Sequence, residues 1–124
     1  MIQNETMFAS CDNSGLKTAK CIAVSHYQKK VPVGQKVTVA NQRVVPNNPR
    51  KVKAGDVVPA VVIQSCQWGR NVAGLFYRGF YNRVTLLKKS DASLSVASRI
   101  FTRLPLKFKY IDLARLLPAS RGYY

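Results

Sequence analysis

The sequence predicts a mostly β protein in which a small closed barrel is followed by a helical appendix. Apolar and polar residues mostly alternate with period two, and at least five short strand candidates are separated by turn signals every 8 to 20 residues. The pattern changes after residue 90. At 124 residues the chain has room for one domain, 1–124, with the barrel in about 1–90 and the appendix in about 91–119.

The first strand candidates are short and half-apolar. MFASC at 7–11 precedes a turn, and KTAKCIAVS at 17–25 begins by alternating and then becomes fully apolar. In QKVTVANQR at 35–43, valines alternate with lysine and threonine, which is typical of a strand with one apolar and one polar face.

Two further candidates complete the barrel. DVVPAVVIQSC at 56–66 is long and apolar, and Pro59, which has no backbone N–H, predicts an edge position or a bulge. NRVTLLK at 82–88 is the last strand. Turn residues lie between the candidates, in DNSG at 12–15, PVG at 32–34, PNNP at 46–49 and AGD at 54–56.

The segment after residue 90 predicts helices. SDASLSVASRIFTRL at 90–104 predicts a short helix with Ser90 or Asp91 as its N-cap. In YIDLARLL at 110–117 the apolar residues fall on one helical face, and Pro118 is expected to end the run. Those apolar residues are Ile111, Leu113, Leu116 and Leu117.

The segment CDNSGLKTAKC at 11–21 is interpreted as a turn rather than a reactive site. In DNSG the Asp and Asn side chains can accept hydrogen bonds from the following amides, and Gly15 can adopt positive φ. A nucleophilic Ser14 would need a base, and His26 is the only histidine of the chain. The chemistry of the stretch therefore lies in the lysines that it presents, Lys17 and Lys20.

The cysteines and carboxylates indicate neither a metal site nor an enzyme. Cys11, Cys21 and Cys66 are odd in number and lack CxxC or histidine spacing, so we expect free thiols in a reducing compartment and no metal or cofactor. Five dispersed carboxylates, one histidine and the lack of a phosphate-cradling glycine loop argue against catalysis.

The charge predicts a polyanionic partner. With 20 Lys and Arg against 5 Asp and Glu, a net charge of +15, at most a quarter of the cations can pair within the chain. Because these cations are scattered rather than gathered on one amphipathic helix, we expect RNA and no membrane. The start, MIQNETMFAS, has no basic n-region, so we expect either action where the protein is made or a presequence absent from this numbering.

Several segments in order resemble the universal L-fourteen family of large-subunit ribosomal proteins. In the first half of the chain they are MIQNETM at the start, DNSG followed by a basic strand ending in CIAV, VG at 33–34, and KVKAGDV at 51–57 with AVVI after it. In the second half they are the spacing of Arg70, Gly74 and Arg78, Asn82 leading into LL, and RIF at 99–101. Only the ordered combination is specific. The resemblance runs without large gaps from residue 1 to about 101 and is loose beyond.

The resemblance implies a five-stranded β-barrel with a protruding β-ribbon and short C-terminal helices. It also implies binding to large-subunit rRNA, contacts with neighbouring ribosomal proteins, and a bridge to small-subunit rRNA across the interface. In bacteria and organelles, a ribosome silencing factor binds the same exposed face of proteins of this family. The function predicted is therefore a structural constituent of the large subunit, with a free RNA-chaperone barrel of the oligonucleotide-binding type as the alternative.

The sequence departs from the family pattern at its contact loops. SVASRIFTRLP stands where the family has GTRI followed by GPV, the ribbon tip reads SCQWGRNVAG with Trp68, and Tyr81 replaces a glycine before Asn82. These departures favour a ribosome of the mitochondrial matrix, with the bacterial cytoplasm or another organelle as alternatives.

Clusters of cations with few nearby carboxylates are the expected RNA contacts. Each is taken to bind phosphate, and the blander interpretation is a solvated loop. Arg99 and Arg103, four residues apart on one side of the predicted helix, are assigned to the intersubunit bridge. The residues assigned to RNA are Lys17, Lys20, Lys29, Lys30, Arg50, Lys51, Lys53, Arg70, Arg78, Lys107 and Lys109.

Two further sequence patterns involve aromatic residues. The rings between residues 68 and 81 interleave with arginines, which indicates either a base-stacking platform or, as we favour, cross-strand pairs and contacts to a protein neighbour. Lys107 and Lys109 alternate with Phe108 and Tyr110, which predicts one basic and one packed face.

Overall fold

The protein folds as a closed five-stranded β-barrel with a separate two-stranded ribbon. The computed structural model describes residues 2–24, 31–50, 52–71 and 73–124. The barrel order is β1–β2–β3–β4–β7, and β5 pairs with β6 to form the ribbon. The strands are β1 (Met7–Ser10), β2 (Leu16–Ala23), β3 (Lys36–Val44), β4 (Val57–Gln64), β5 (Gly69–Arg70), β6 (Phe76–Tyr77) and β7 (Arg83–Leu86). The predicted mostly β architecture is confirmed.

The barrel closes between its first and last strands. All other neighbours are antiparallel, whereas β1 and β7 run parallel, with Ala9 beside Arg83 and Ser10 beside Val84. The Cys11 amide donates to the Val84 carbonyl at 3.3 Å, which extends the pairing past the end of β1. Closure leaves no unpaired edge among the five strands.

The barrel core follows the period-two pattern that the sequence predicts. In β3, Val37 and Val39 point inward and are buried, while Lys36 is exposed. Phe8 of β1 is the largest buried barrel side chain. The same cluster of buried residues continues into the C-terminal segment, through Ile100, Leu104, Phe108, Leu113 and Leu116.

Pro59 lies neither on an edge strand nor at a bulge, so that prediction was wrong. It pairs with Thr38 of β3 inside the closed barrel. On its other side the β4–β7 ladder begins only at Ala60, and the Pro59 carbonyl accepts from the Leu87 amide at 2.9 Å. The missing N–H therefore falls at the end of the β4–β7 ladder, opposite Leu87, and removes no bond from the middle of the sheet.

The predicted helix over 90–104 was also wrong. Asp91 does not cap a helix; its Oδ1 accepts from the Ser93 amide at 2.9 Å and forms a local turn. The chain then continues without a helix, through bends and isolated bridges such as those from Asp12 to Ile100 and from Leu104 to Tyr123. Serine-rich and β-branched residues disfavour a helix here, and long-range partners satisfy the backbone.

Short helices do follow, as 3₁₀ turns. They span Leu106–Tyr110 and Ala114–Ala119. Pro118 lies inside the second helix rather than ending it. Because residues three apart align in a 3₁₀ helix, the predicted α-helical stripe is not formed, and Ile111 remains 44% exposed.

Candidate nucleic-acid interface

The DNSG segment is a turn, built around the buried Asp12 carboxylate. Its Oδ1 accepts from the Ser14 amide at 3.1 Å and the Ser14 hydroxyl at 2.6 Å, and Gly15 has φ +92°. Its Oδ2 accepts from the Thr85 hydroxyl and, at 3.3 Å, from the Leu86 amide of β7. The turn therefore also fastens β1 to the closing strand, a role that local sequence reasoning missed.

The neighbouring Asn13 holds the C-terminal segment against this turn. Its Oδ1 accepts from the amides of Ser98 and Arg99, both at 3.1 Å, and its Nδ2 donates to the Ser98 hydroxyl at 3.1 Å. The Asn13 amide donates to the Arg99 carbonyl at 3.2 Å. The partners are 85 and 86 residues away in the chain, so no local pattern signals them.

The two lysines after the turn lie on β2. Register shifts near Thr18 interrupt the strict alternation of the strand. As a result Lys17 is exposed and Lys20 is partly exposed, although their spacing of three would place them on opposite faces of a regular strand. Lys20 forms an ion pair with Glu5, so its charge is partly offset, whereas Lys17 projects to solvent.

The loop between β3 and β4 carries the next cations. Asn48 organises it, since its Oδ1 accepts from the Val52 amide and its Nδ2 donates to the Val52 carbonyl, both at 2.9 Å. A Cβ at Gly15 would lie 2.6 Å from the Asn48 Cβ, so this loop packs directly on the DNSG turn. Lys53 is exposed; the predicted contacts Lys29, Lys30 and Lys51 lie outside the described residues.

Arg50 lies beside a residue assigned to a different surface. Its guanidinium donates to the Ser98 hydroxyl at 2.6 Å, next to Arg99 in the chain. Arg50 was assigned to RNA of the large subunit and Arg99 to the subunit bridge. The structure thus brings one member of each group to a common surface.

Arg99 and Arg103 share a face, but not because of a helix. Over 99–104 exposure alternates with period two: Arg99, Phe101 and Arg103 are exposed, whereas Ile100 and Leu104 are buried. An extended chain separates residues four apart by roughly 13 Å, about twice the distance across one helical turn. The exposed Phe101 ring lies between the two guanidinium groups along the chain.

The ribbon has one packed face and one open face. Gly69 pairs with Tyr77 and Arg70 with Phe76. Tyr77 faces the body of the protein and packs edge-to-face on Tyr124, with 5.1 Å between ring centroids. Burial raises the pKa of Tyr77, and burial together with Tyr77 raises that of Tyr124 to about 12.

The open face carries the predicted arginines and most of the rings. Continuing the register sets Trp68 opposite Arg78, whose guanidinium carbon lies 5.9 Å from the indole centroid. The paired residues of the ribbon bring no two aromatic rings opposite each other, so cross-strand aromatic pairing does not explain them. We call this open face the ribbon face; its residues are Trp68, Arg70, Phe76, Arg78 and Phe80.

Lys107 and Lys109 do not form the predicted basic edge. They lie on the first 3₁₀ helix rather than a strand, so Phe108 is buried while Tyr110 is exposed. Lys107 is half-buried, and desolvation lowers its pKa. Only Lys109 projects freely to solvent.

Two further cations belong to this surface and were missed from the sequence. Arg43 is exposed on β3 and pairs with Thr18, beside Lys17; strict alternation from the buried Val37 and Val39 would turn it inward, so the strand pattern gave no signal for it. Arg121 lines a cavity of about 410 Å³ together with Arg99 and Phe101. The tail sequence alone gave no such signal, since the contact depends on the fold.

The three cysteine thiols are free; Cys11 and Cys21 are buried and Cys66 is partly exposed. Burial, followed by the charge of Asp12, raises the pKa of Cys11 to about 12, and burial raises that of Cys21. The partly exposed Cys66 donates to the Phe80 carbonyl at 3.3 Å. Since thiolates are the reactive form, the raised pKa values leave Cys11 and Cys21 inert at neutral pH.

Most basic side chains have no acidic partner within the chain. In 2–24, 31–50, 52–71 and 73–124, only Lys20 and Arg115 form ion pairs with carboxylates. The same part of the chain has no helix long and apolar enough to cross a membrane. Fold and surface together define a strongly basic β-barrel with the electrostatic footprint of a nucleic-acid-associated protein.

The sequence matches the family described as ribosomal protein L14p/L23e over residues 1–116, and the chain belongs to this family. It is therefore a structural protein of the large ribosomal subunit and not an enzyme. Membership implies ribosomal RNA and ribosomal proteins as partners. The match extends past residue 101, where the resemblance of the sequence was loose.

Proposed function

We propose that the protein docks on large-subunit rRNA through its unpaired cations and contributes to a bridge with small-subunit rRNA. The observation that carries this proposal is the net charge of +15 on a fold in which the described cations are largely exposed and unpaired. Such a surface recognises folded RNA by charge and shape, and base identity contributes little.

The central contact is the surface on which the DNSG turn, the β3–β4 loop and the C-terminal segment meet. Gly15 packs on Asn48, Asn13 holds Ser98, and Arg50 bonds to Ser98, so these three segments are fixed relative to one another. Lys17, Arg43, Arg50 and Lys53 surround this junction. Backbone segments that are already fixed suit an RNA backbone of fixed shape, since little loop ordering is needed on binding.

Further RNA contacts come from the other assigned cations. Arg70 and Arg78 extend the basic surface onto the ribbon, and Lys109 extends it to the first 3₁₀ helix. Lys20, Lys29, Lys30, Lys51 and Lys107 complete the set on the strength of the sequence pattern.

For the bridge we retain Arg99 and Arg103, with a revised geometry. The two arginines lie four residues apart on a non-helical stretch with a bend at Thr102, and both are exposed together with Phe101. Because Arg50 bonds to Ser98, the residue before Arg99, the surface around Arg99 and Arg103 adjoins the surface assigned to large-subunit RNA. Residues on the same side of the protein would thus contact both ribosomal subunits.

We place the protein in a mitochondrial ribosome, and propose a ribosome silencing factor as an additional partner of the bridge surface. Support comes from the divergent loops, SVASRIFTRLP and SCQWGRNVAG, in a chain that keeps the family start. Sedimentation of tagged protein from purified mitochondria tests the compartment: we expect co-migration with mitochondrial large subunits, and enrichment in other ribosomes contradicts it.

The free-chaperone alternative has little structural support. A single-strand-binding barrel presents aromatic rings on its strands. The only aromatic residue on the five barrel strands of this structure is Phe8, which is 1% exposed.

RNA binding is tested by the salt dependence of affinity for a folded rRNA fragment. About 6–10 neutralised phosphates give a slope of log K against log salt of roughly −5 to −9. A slope shallower than about −3 contradicts the proposal.

The bridge is tested with Arg99→Ala/Arg103→Ala. The matched control is Lys88→Ala/Lys89→Ala, which removes two exposed charges from the end of β7. We expect the arginine variant to enter large subunits normally but to lower the yield of joined ribosomes, with the control near wild type. Failure of the arginine variant to enter large subunits would assign the pair to the assembly surface instead.

A further inference from the structure

The ribbon face combines exposed rings with arginines in a way that the stability of the fold does not require. Trp68, Phe76 and Phe80 are 70%, 72% and 92% exposed. Large rings on a monomer surface usually mark a binding site when they cluster. These rings line a cleft of about 480 Å³, whose other lining residues are Arg78 of the same face, Gly79, and Tyr77 of the packed face.

The ribbon holds the cleft in place although its strands are short. The Gly79 amide donates to the Ser65 carbonyl at 2.9 Å, and the Cys66 amide donates to the Asn82 Oδ1 at 3.1 Å. A Cβ at Gly79 would lie 2.4 Å from the Gln64 Cγ, so the two arms touch closely at their base. On the packed face, Tyr77 covers Gly69 and anchors the ribbon to Tyr124.

Charge distinguishes between the partners that fit such a cleft. Residues 57–90 contain no Asp or Glu but five cations, Arg70, Arg78, Arg83, Lys88 and Lys89. A basic protein neighbour would be repelled from this segment, whereas a nucleic acid would be attracted. Rings spaced between arginines provide the two elements that single-strand binding uses, stacking surfaces for bases and forks for phosphates.

We propose that the ribbon face binds unpaired nucleotides of RNA, with bases stacking on Trp68 and Phe80 and with Arg70 and Arg78 contacting the flanking phosphates. This inference rests on the proposed RNA-binding function and adds a second mode of RNA recognition to it. The barrel surface recognises folded RNA by shape, whereas the ribbon face requires bases that are splayed out of a helix.

The single tryptophan of the chain gives a direct readout, because a base stacked on the indole changes its fluorescence. We would titrate the full chain with a single-stranded oligouridine of about 12 nucleotides and, separately, with a blunt-ended, fully paired RNA duplex, measuring anisotropy and Trp68 emission together. We expect both RNAs to bind, and the single strand to quench Trp68 far more at equal saturation.

The variant that tests the stack is Phe80→Ala, with Tyr110→Ala as the matched control. Both rings are exposed, and Tyr110 lies on the first 3₁₀ helix, away from the ribbon. Loss of one stacked base corresponds to a roughly 5- to 150-fold weaker affinity for the single strand, the equivalent of ~1–3 kcal/mol. Affinity for the duplex should remain unchanged, and the control should bind both RNAs as wild type.

The outcomes separate this inference from the proposed function. Equal effects of Phe80→Ala and Tyr110→Ala on single-strand binding, or equal quenching by both RNAs, would overturn the stacking site and leave shape recognition intact. Failure of the wild type to bind either RNA would overturn both. Unchanged RNA binding of Phe80→Ala with lost incorporation into large subunits would show that the ribbon face binds a protein neighbour instead.

Discussion

The barrel and the ribbon place the same kinds of residue in opposite environments. Phe8 of β1 is fully buried, whereas Phe80 of the ribbon is 92% exposed. The barrel has five strands closed into a ring around a common core, while the ribbon strands are two residues each. Because of this difference in burial, we expect a substitution in the barrel core to change the free energy of unfolding. A substitution on the ribbon face should instead change the binding of partners.

The sharpest test compares these two phenylalanines. Phe8→Ala removes a buried ring and should lower the free energy of unfolding by about 3–5 kcal/mol, because the cavity is only partly filled by relaxation. Phe80→Ala should change it by less than about 0.5 kcal/mol. Urea unfolding followed by circular dichroism measures both. Similar losses in the two variants would show that the ribbon contributes to the core.

A smaller effect is expected at the carboxylate that fastens β1 to β7. Asp12→Ala leaves the buried donors of Ser14, Thr85 and Leu86 without their acceptor and should lower the free energy of unfolding by ~1–3 kcal/mol. Asp112→Ala, an exposed carboxylate outside the barrel, is the control and should be near neutral. If both variants unfold at the same urea concentration, the Asp12 bonds do not stabilise closure.

The last effect is a slope with pH, which is negligible at neutral pH and appears only in alkaline solution. The pKa of Cys11 is raised from 9.0 to about 12 when folded, chiefly by burial, so between those values the folded state keeps a proton that the unfolded state loses. Stability is therefore complete below pH 9 and is lost as pH rises towards 12, by at most ~1.4 kcal/mol per pH unit from this group.

Cys11→Ala should flatten that slope, whatever the variant does to stability at neutral pH. Urea midpoints measured at intervals from pH 8 to 11 provide the comparison. Tyr124, whose pKa is also raised to about 12, continues to contribute above pH 10 in both proteins. An unchanged slope in the variant would mean that the thiol does not titrate with unfolding.

The sequence predicted the barrel well because its signals are local. Alternation in 35–43 and turn chemistry in DNSG and PNNP were enough to place β3 and the turns. Predictions that depended on distant partners were wrong. Pro59 was expected to mark an edge or bulge, but only the register of β7 reveals that its missing donor falls at the end of the ladder.

Dependence on distant partners also explains why the candidate site could not be assembled from the sequence. Individual cations could be listed from the sequence, but their grouping could not, because Arg50 meets Ser98 across 48 residues. The segment around Arg99 looked helical in isolation, yet Asn13 and Cys11 satisfy its backbone as an extended chain. The ribbon rings were assigned to cross-strand pairs because their register, set by Gly69 and Tyr77, was unknown.

The parallel pairing of β1 with β7 has a consequence for synthesis. Asp12 and Thr85 are 73 residues apart, so the first strand has one neighbour, β2, long before the second exists. At about 5–20 residues per second, translation leaves that edge open for roughly 4–15 s. During this interval the nascent chain presents an unpaired strand edge, the feature most prone to pairing with another chain. The newborn protein is therefore most exposed to aggregation just before its last strand emerges.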